Sequence, residues 1–494
     1  MLYFRMLITL AVSLYTSRLI LSALGVEDFG IYNVVGGVVI MFGFLNSAMA
    51  ASTQRFLTFE LGRKDDVRLK QVFSISVTLH IIIAIIIVLL SETIGVWFLN
   101  TRLTIPVERL AAANWVFQFS VLSSVLTILS VPYNAAIIAH ERMNIFAYIS
   151  ILEVSLKLAV VYLLQLFGYD KLVLYAILIF LVSLILRIVY GAYCTRNFKE
   201  SHYRFFWGKK LFAEMTSFAG WNLFGVFAGI GYNQGVNILL NIFFGPLVNA
   251  ARGIAFQVMG AVNQLVTNFQ IAVNPPITKA HAVNDEKNMY KLIFASSKFS
   301  FFLLLLFIMP LFFEAKLVLA IWLKKVPDYT VLFTRLVLID VLICSLSGPL
   351  QILAQATGRV RNYQLVVSII LLLNLPVSYL LLKMGYSPQS TFVVSILLST
   401  VALFARLIVL RTLTAFPVKS FLQKVVLTVL LVTIFILPVP IYIQSAINRT
   451  LLQFFLVVIG TTVSLIFSVW LIGLSVSERL IIKGYLHKMA KGNS

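Results

Sequence analysis

Cationic side chains interrupt the apolar segments of this chain, and their chemistry is the first feature that needs an explanation. Six of them lie inside or at the rims of such segments: Arg18, Arg55, Lys157, Arg187, Arg252 and Lys298. A cation in hydrocarbon costs roughly 2.5–3.5 kcal/mol, so such residues usually face a bundle interior or a water-filled cavity. A membrane protein with a cationic cavity is suited to an anionic ligand, and arginine has the fork geometry that phosphate oxygens need.

Three of these arginines are the candidate ligand-binding residues. Arg18 and Arg55 belong to the first two apolar segments, which also carry polar side chains. Arg252 lies close to the predicted outer edge of the eighth segment.

The other cations have simpler explanations. Arg187 and Lys298 lie about two helical turns from the predicted inner boundary, so their side chains can extend to the interface. Lys157 follows Glu153 by four residues, which places the two on one helix face. A structural ion pair is therefore as plausible there as a ligand site.

Polar side chains form stripes along several apolar segments. Asn233, Asn237 and Asn241 recur at every fourth position, so they share one helix face. Comparable residues in other segments are Asn46, Asn263 and Gln270. Each alone is explained by an interhelical hydrogen bond, worth about 0.6–2 kcal/mol. Because the set is concentrated in corresponding segments of the two halves of the chain, we expect it to line a wet cavity.

Two acids and two prolines complete the set of candidate residues. Carboxylates inside a membrane often mark ion pathways, so Asp340 and Glu153 are candidates for binding a proton or a sodium ion. The alternative is a hydrogen-bonded structural carboxylate. Pro132 and Pro349 each remove a backbone hydrogen bond and kink a helix, so they are candidate hinges or static packing features.

The elements that must position these residues are membrane helices. Of the 494 residues, 60% are hydrophobic and 12% are charged. Apolar stretches of about 20 residues follow one another along the chain, which predicts an all-α integral membrane protein with about fourteen transmembrane helices. The formal net charge of +21 is explained by basic cytoplasmic loops, so we expect no nucleic-acid binding. The same loops predict that both termini are cytoplasmic.

The chain also repeats itself. A motif in the fourth span, residues 132–142, recurs in the tenth as residues 349–359, at an offset of 217 residues. Two further matches have an offset of 220 residues: Gly25 with Gly245, and Asp65 with Asp285. Six helices separate the matching elements, so the halves have the same orientation in the membrane.

We therefore expect two six-helix lobes related by a parallel pseudo-two-fold repeat, followed by two extra C-terminal helices. The predicted divisions are an N-terminal lobe at 1–195, a basic cytoplasmic linker at 196–215, a C-terminal lobe at 216–412, and the last two helices with a basic tail at 413–494.

The sequence contains no recognisable enzyme constellation. The five histidines are scattered, and Cys194 and Cys344 fall in separate spans, so neither a metal site nor a disulfide framework is predicted. Phosphate-binding loops, nucleophile elbows and dinucleotide motifs are likewise not recognisable. We expect a protein without catalytic residues, metal or cofactor, apart from a coupling H⁺ or Na⁺.

The first part of the chain resembles a known family. The runs TSRLILSALGVEDFGIYNV at 16–34 and FLNSAMAASTQRFLTFELGRKD at 44–65 are similar to the start of bacterial polysaccharide exporters and O-antigen flippases. These proteins belong to the multidrug/oligosaccharidyl-lipid/polysaccharide exporter superfamily. The span ends HER at 140–142 and TGR at 357–359 also fit. The resemblance covers the whole chain in topology, and its specific motifs lie near the beginning.

The resemblance implies two lobes around a central cavity that opens alternately to the two sides of the membrane. The usual substrate of the family is an undecaprenyl-pyrophosphate-linked oligosaccharide, which is flipped across the bacterial inner membrane. Cavity cations are thought to bind the pyrophosphate, a role that maps onto Arg18, Arg55 and, more loosely, Arg252. The implied partners are the lipid-linked glycan, membrane lipids and other proteins of polysaccharide assembly.

Two other functions stay open on the sequence alone. A cation-coupled drug or small-metabolite antiporter would have the same fold, although drug exporters often carry an acid in the first helix and this chain has none there. A membrane polysaccharide polymerase or ligase would be similarly hydrophobic. Such enzymes usually carry a sizeable periplasmic loop, and no predicted loop is long enough.

Overall fold

Helices account for the regular secondary structure of the chain wherever it can be described. The computed structural model describes residues 43–101, 103, 105–166, 170–323, 326–447, 450–475 and 478–480, together with isolated residues between 9 and 36. These residues contain no β-strand, which confirms the all-α class. The first predicted span, 5–24, lies largely outside the described residues.

Seven long helices come first. They are α1 (Gly43–Arg63), α2 (Asp66–Leu90), α3 (Leu110–Ala139), α4 (Met143–Leu166), α5 (Lys171–Asn197), α6 (Lys209–Phe244) and α7 (Pro246–Ala282). Helix α2 continues through a π-helical turn to Thr101. Side-chain caps begin two of them: Asp65 accepts a hydrogen bond from the backbone N–H of Arg68 at 2.9 Å, and Asp170 from that of Leu172 at 3.0 Å.

The helices that follow are shorter on average, and several of them are joined end to end into one span. They are α8 (Glu286–Phe313), α9 (Ala315–Leu323), α10 (Thr330–Ser345), α11 (Gly348–Ala356), α12 (Val360–Leu372), α13 (Asn374–Lys383), α14 (Ser390–Thr414), α15 (Val418–Phe421), α16 (Leu427–Ile436), α17 (Pro438–Ala446) and α18 (Thr450–Ser468). A π-helical turn, Val469–Gly473, extends α18.

Eleven helical stretches of the described residues are long and apolar enough to cross a membrane. They match the third to seventh and the ninth to fourteenth predicted spans. Helix α7 matches the eighth predicted span, 249–275, but is too polar to be counted among the eleven. Helix α1 covers only the second half of the second predicted span, 30–58, and is not counted. Since α7 has 37 residues, it is about 55 Å long and can still cross a bilayer.

The chain divides into two compact units. The first comprises Met1–Val226 and Thr278–Asp285, and the second comprises Phe227–Ile277 and Glu286–Ser494. Helices α6 and α7 each contribute residues to both units. The lobe boundaries expected from the sequence stay predictions.

Each unit has its own buried core. In the first, α3 packs against α1, α2 and α5, with Val116 and Phe117 fully buried. In the second, α10 packs against α8 and α14, around Leu304, Phe333 and Leu338. These cores hold in place the helices that carry the polar and charged residues.

The internal repeat is visible in the backbone. Residues with positive φ stand in matching pairs: Gly25 (80°) and Gly245 (78°), Lys64 (58°) and Asn284 (56°), Glu141 (59°) and Gly358 (75°). A left-handed conformation is uncommon outside glycine. Its recurrence at the two offsets of the repeat shows that equivalent positions of the two halves adopt the same left-handed conformation.

The two matching prolines have different surroundings. Pro132 lies inside α3, which stays one helix as far as Ala139. Pro349 is the second residue of α11, directly after the break at Leu346 and Ser347 that separates α10 from α11. The two halves therefore accommodate a proline at the same place in different ways, and a hinge role for either stays a prediction.

Candidate functional site

A cavity opens inside the first unit, among α3, α4 and α5. Its volume of about 510 Å³ falls within the usual range for small-ligand sites. Its polar lining consists of Tyr32, Asn46, Ser120, Ser123, Ser124, Thr127, Ser130, Asn134, Glu153, Lys157, Ser183 and Tyr190. The wall is therefore rich in hydroxyl groups.

Helix α3 provides most of this lining. Ser120, Ser124, Thr127 and Asn134 follow the helical period, so they share one face. The Thr127 hydroxyl donates to the backbone carbonyl of Ser123 at 2.9 Å, which leaves the oxygen free to accept a hydrogen bond from a ligand. This row was not predicted from the sequence, although its spacing is the signal that would have found it.

Glu153 and Lys157 are the charged residues of the cavity. Lys157 Nζ lies 2.6 Å from Glu153 Oε1, as their four-residue spacing predicts. The side chains are 45% exposed for Lys157 and 38% for Glu153, so water reaches the pair. Asn46 of α1 lines the same cavity, and within the described chain no group bonds its Oδ1. The cavity thus offers an acid, a base and an open amide oxygen.

Arg55 lies on α1 in an aromatic environment. Its guanidinium carbon is 4.4 Å from the ring centroid of Phe56, 4.6 Å from that of Phe59 and 5.8 Å from that of Phe218. Cation–π contacts of this kind are worth about 0.5–2 kcal/mol each. Arg55 is not part of the lining of the cavity among α3, α4 and α5. Arg18 lies outside the described residues.

Arg252 is a buried cation of the second unit, with 7% of its surface exposed. Its Nη2 donates to the backbone carbonyl of Asn233 at 3.1 Å, and its guanidinium lies 4.0 Å from the ring centroid of Phe256. Among the described residues, no carboxylate forms an ion pair with it, and its Nε has no hydrogen-bond acceptor. Because arginine keeps its charge in proteins, an uncompensated guanidinium here can bind an anion.

Helix α7, which carries Arg252, exposes a polar face. Gln257, Asn263, Gln264 and Thr267 are all exposed there. Exposed positions on α6 include large apolar residues such as Ile242, which is 70% exposed. Polar side chains at membrane depth need water or a polar partner. This face of α7 is therefore suited to a water-filled space rather than to lipid.

The other predicted lining residues differ in burial. Asn233 and Asn237 are half-buried, whereas Asn241 is exposed near the end of α6. The Gln270 amide lies 3.5 Å from the Ser300 hydroxyl and so close to Gly348 that a side chain at that glycine would overlap it. Gln270 thus packs at the break between α10 and α11.

Asp340 belongs to a polar cluster in the second unit. Its Oδ1 has no partner among the residues that can be described. Tyr232 lies within electrostatic reach of both Asp340 and Arg252. The Tyr232 hydroxyl donates to Ser395 at 2.7 Å. Side chains of α6 and α14 are thus hydrogen-bonded to each other in the region of the α10 carboxylate and the α7 cation.

An ion-paired cluster that was not predicted lies at one end of the first unit. Arg109 donates to Asp170 at 2.6 Å and to Asp28 at 2.9 Å, so each carboxylate occupies one edge of the guanidinium. Asp170 lies 61 residues from Arg109 in sequence, and Asp28 lies 81 residues from it. No local periodicity relates residues so far apart, which is why the sequence did not reveal the cluster.

Arg187 and Arg406 contact the matching proline regions of the two halves. Arg187 of α5 lies 4.3 Å from the ring centroid of Tyr133, which directly follows the proline of α3. Arg406 of α14 donates to the Ser347 hydroxyl at 2.9 Å, two residues before Pro349. That Arg187 can extend to the interface stays a prediction, and its guanidinium packs on an aromatic ring.

Lys298 is a buried cation of the second unit, only 6% exposed. That its side chain extends toward the inner interface stays a prediction. Its Nζ donates to the backbone carbonyl of Gly473 at 3.1 Å and to Glu478 at 2.8 Å. An acid close to the C-terminal end of α18 therefore neutralises this buried lysine.

Comparison with known proteins bears on the fold. No family model matches the chain, and no curated protein matches it. Among solved structures, an outward-facing multidrug resistance MATE family transporter of the MOP superfamily gives a TM-score of 0.70 at 13% identity, covering 85% of this chain and 95% of that one. A MOP superfamily transporter from Pyrococcus furiosus, described by the reverse polarity of its binding pocket, gives the same values. The chain has the fold of a MATE transporter.

A MATE structure in the straight conformation also matches this chain, with a TM-score of 0.69 at 12% identity. The match covers 85% of this chain and 96% of that one. Identities this low establish the fold alone. The MATE fold confirms the multi-pass helical architecture expected from the resemblance. It leaves the transported substrate undetermined.

Proposed function

We propose that this chain is an exporter of the bacterial inner membrane that flips a polyprenyl-pyrophosphate-linked oligosaccharide by alternating access, with both termini in the cytoplasm. The MATE fold supports a transporter. The observation that supports an anionic substrate is the burial of Arg252, whose guanidinium has no carboxylate partner among the described residues.

A diphosphate suits this arginine better than a neutral or cationic solute. Burial removes water from the guanidinium, and an anion restores the lost interactions through charge-assisted hydrogen bonds. The Nε that has no protein acceptor is one donor available to a phosphate oxygen. In this proposal Arg55 and Arg18 contribute further positive charge.

The sugar is assigned to the polar faces. Amides and hydroxyls along the exposed face of α7 can exchange hydrogen bonds with a glycan without selecting one linkage. The cavity lined by Ser120, Thr127 and Asn134 offers the same chemistry in the first unit. The polyprenyl tail is assigned to the bilayer.

The test is complementation of a strain that lacks its own flippase, with surface glycan as the readout. Arg252→Ala and Arg55→Ala are expected to reduce surface glycan more than tenfold at unchanged protein level in the membrane, since Arg252 is the proposed contact to the diphosphate and Arg55 contributes positive charge. Arg18→Ala is expected to do the same. Arg411→Ala removes an exposed arginine at the end of α14 and serves as the control. Wild-type glycan levels in all three test variants would overturn the proposal.

A second candidate is a cation-coupled antiporter for drugs or small metabolites. The observation that favours it is the acid inside the cavity of the first unit, Glu153, together with the Asp340 carboxyl and its open oxygen. Such a protein would raise resistance to cationic drugs in a sensitive host, and Glu153→Gln or Asp340→Asn would abolish that resistance. Resistance without any effect on surface glycan would select this candidate over the flippase.

A further inference from the structure

A second cavity, of about 610 Å³, lies in the second unit where three spans end together. It is bounded by the start of α8, by residues 417–428 around α15, and by residues 472–475 and Glu478 beyond α18. None of its lining residues belongs to the candidate site described above. By the distribution of basic loops, this end of the helices is predicted to face the cytoplasm.

The cavity carries uncompensated positive charge. Lys287, Lys291, Lys298 and Lys424 line it, with Glu478 as the acid of the lining. Lys298 is already paired with Glu478 at 2.8 Å. The other three lysines are exposed, and the part of the chain that the structure describes provides no acid that pairs with them. The lining therefore has an excess of three positive charges.

Glu478 is held in place as the partner of Lys298. Its Oε2 accepts hydrogen bonds from the Ser475 backbone N–H at 2.7 Å and from the Ser475 hydroxyl at 2.8 Å. Burial opposes ionisation of this carboxyl group, but the bonds from Lys298 and Ser475 outweigh it and hold the pKa below the usual range. Glu478 is thus paired with Lys298 at neutral pH and does not neutralise the remaining lysines.

The walls of the cavity are held by side-chain contacts and are partly apolar. The Tyr290 hydroxyl donates to the Thr414 backbone carbonyl at 2.5 Å, and Phe294 packs edge-on against Phe416 and Phe421. Phe294, Ile472 and Leu474 add an apolar lining beside the lysines. Leu427, directly beyond the cavity, is 51% exposed, as expected of a lipid-facing position. The basic groups thus adjoin a surface that meets acyl chains.

We propose that this cavity binds the phosphate head group of an anionic phospholipid. Lysine ammonium groups and the hydroxyls of Ser420 and Thr428 supply donors for phosphate oxygens. Basic pockets between transmembrane helices on the cytoplasmic side are suited to such head groups. The apolar wall favours a lipid over free phosphate, because it accommodates the glycerol and the first methylene groups. The site is independent of the transported substrate.

The test uses the full-length protein in neutral detergent, with phosphatidylglycerol titrated in and thermal unfolding as the readout. The triple variant Lys287→Gln, Lys291→Gln, Lys424→Gln is expected to bind phosphatidylglycerol about a hundredfold more weakly, because each lysine beside an anionic lipid contributes about fivefold. The control is Lys199→Gln, Lys209→Gln, Lys210→Gln, which removes the same charge elsewhere and is expected to bind like the wild type.

Two further measurements keep the result interpretable. Thr428→Trp narrows the cavity without changing its charge and is expected to weaken binding as well. Phosphatidylcholine and inorganic phosphate form separate arms, and neither is expected to stabilise the wild type. Equal losses in the two triple variants, equal stabilisation by phosphatidylcholine, or full competition by low millimolar phosphate would each overturn the assignment to an anionic lipid.

Discussion

At the scale of single residues, the charges of this chain differ mainly in whether they have partners. Glu153 and Lys157 are close in sequence, and helical geometry alone predicted their contact. Arg109, Asp28 and Asp170 meet although they are far apart in sequence, which no local pattern encodes. The hydroxyl row of α3 was missed for another reason: serine and threonine also bond their own backbone, so the row does not stand out as an amide or a charge does.

The Arg109 cluster predicts a pH dependence of stability. Burial of the Asp170 carboxyl opposes ionisation, but hydrogen bonds from Arg109 and from the backbone N–H of Val173 outweigh it and lower the pKa. A carboxyl whose pKa is lower in the folded state stabilises the fold above its unfolded pKa of about 3.9 and loses this effect as the pH falls through the folded value. Asp170→Asn is therefore expected to lower the unfolding temperature at pH 7.

The difference between this variant and the wild type should shrink as the pH falls below the unfolded pKa of about 3.9. It should vanish only below the folded pKa, where the carboxyl is protonated in both the folded and unfolded states. Unfolding temperatures measured in detergent from pH 7 down through this acidic range test this. Glu108→Gln is the control, since Glu108 neighbours Arg109 but has no ion pair in the described structure. A gap between Asp170→Asn and the wild type that does not change with pH would contradict the assignment.

At the scale of helices, hydropathy located the spans and missed their interruptions. The breaks after Ser345, Leu372 and Ile436 lie within runs that are apolar on both sides, so a sliding hydropathy window passes over them. The prolines do not predict the positions of the breaks either, since Pro132 lies within an intact helix and Pro349 lies at the start of a new one. Whether a helix breaks depends on what packs beside it, and Gln270 against Gly348 is such a contact.

Close helix packing near Gly62 predicts a stability effect. A Cβ atom at Gly62 would lie 2.9 Å from both the Cβ of Ala282 and the Cα of Lys279, where α7 ends. Because one of these neighbours is backbone, it cannot move aside cheaply. Gly62→Ala is expected to destabilise the protein by about 1–3 kcal/mol.

The matched control for this change is Gly220→Ala in α6, where an added Cβ meets nothing within 4 Å. It is expected to be neutral or to stabilise by about 0.5–1 kcal/mol, because alanine is the better helix former. Thermal unfolding of the two variants in the same detergent compares them. An unfolding temperature for Gly62→Ala at or above that of Gly220→Ala would rule out the close approach.

At the scale of the whole molecule, the alternation of loops predicts which ends of the helices share a side of the membrane. Single cysteines at Leu247 and Tyr386 are expected to react with a membrane-impermeant maleimide in intact cells. Cysteines at Lys210 and Lys287 are expected to react only after permeabilisation, because basic loops stay in the cytoplasm. The single cysteines are introduced into the double variant Cys194→Ser, Cys344→Ser, which lacks the two native cysteines. Labelling of all four positions from the same side would refute the predicted topology.

Helices α6 and α7 belong to both units, and this has a consequence for recombination. The chain passes between the units at 226/227, inside α6, at 277/278, inside α7, and again at 285/286. Exchanging one unit for that of a homologue would need three junctions, two of which cut a continuous helix. Matching turns recur in the two halves of the sequence, but the two units do not coincide with these halves. A single crossover therefore cannot exchange one unit, and we expect the two units to be inherited together.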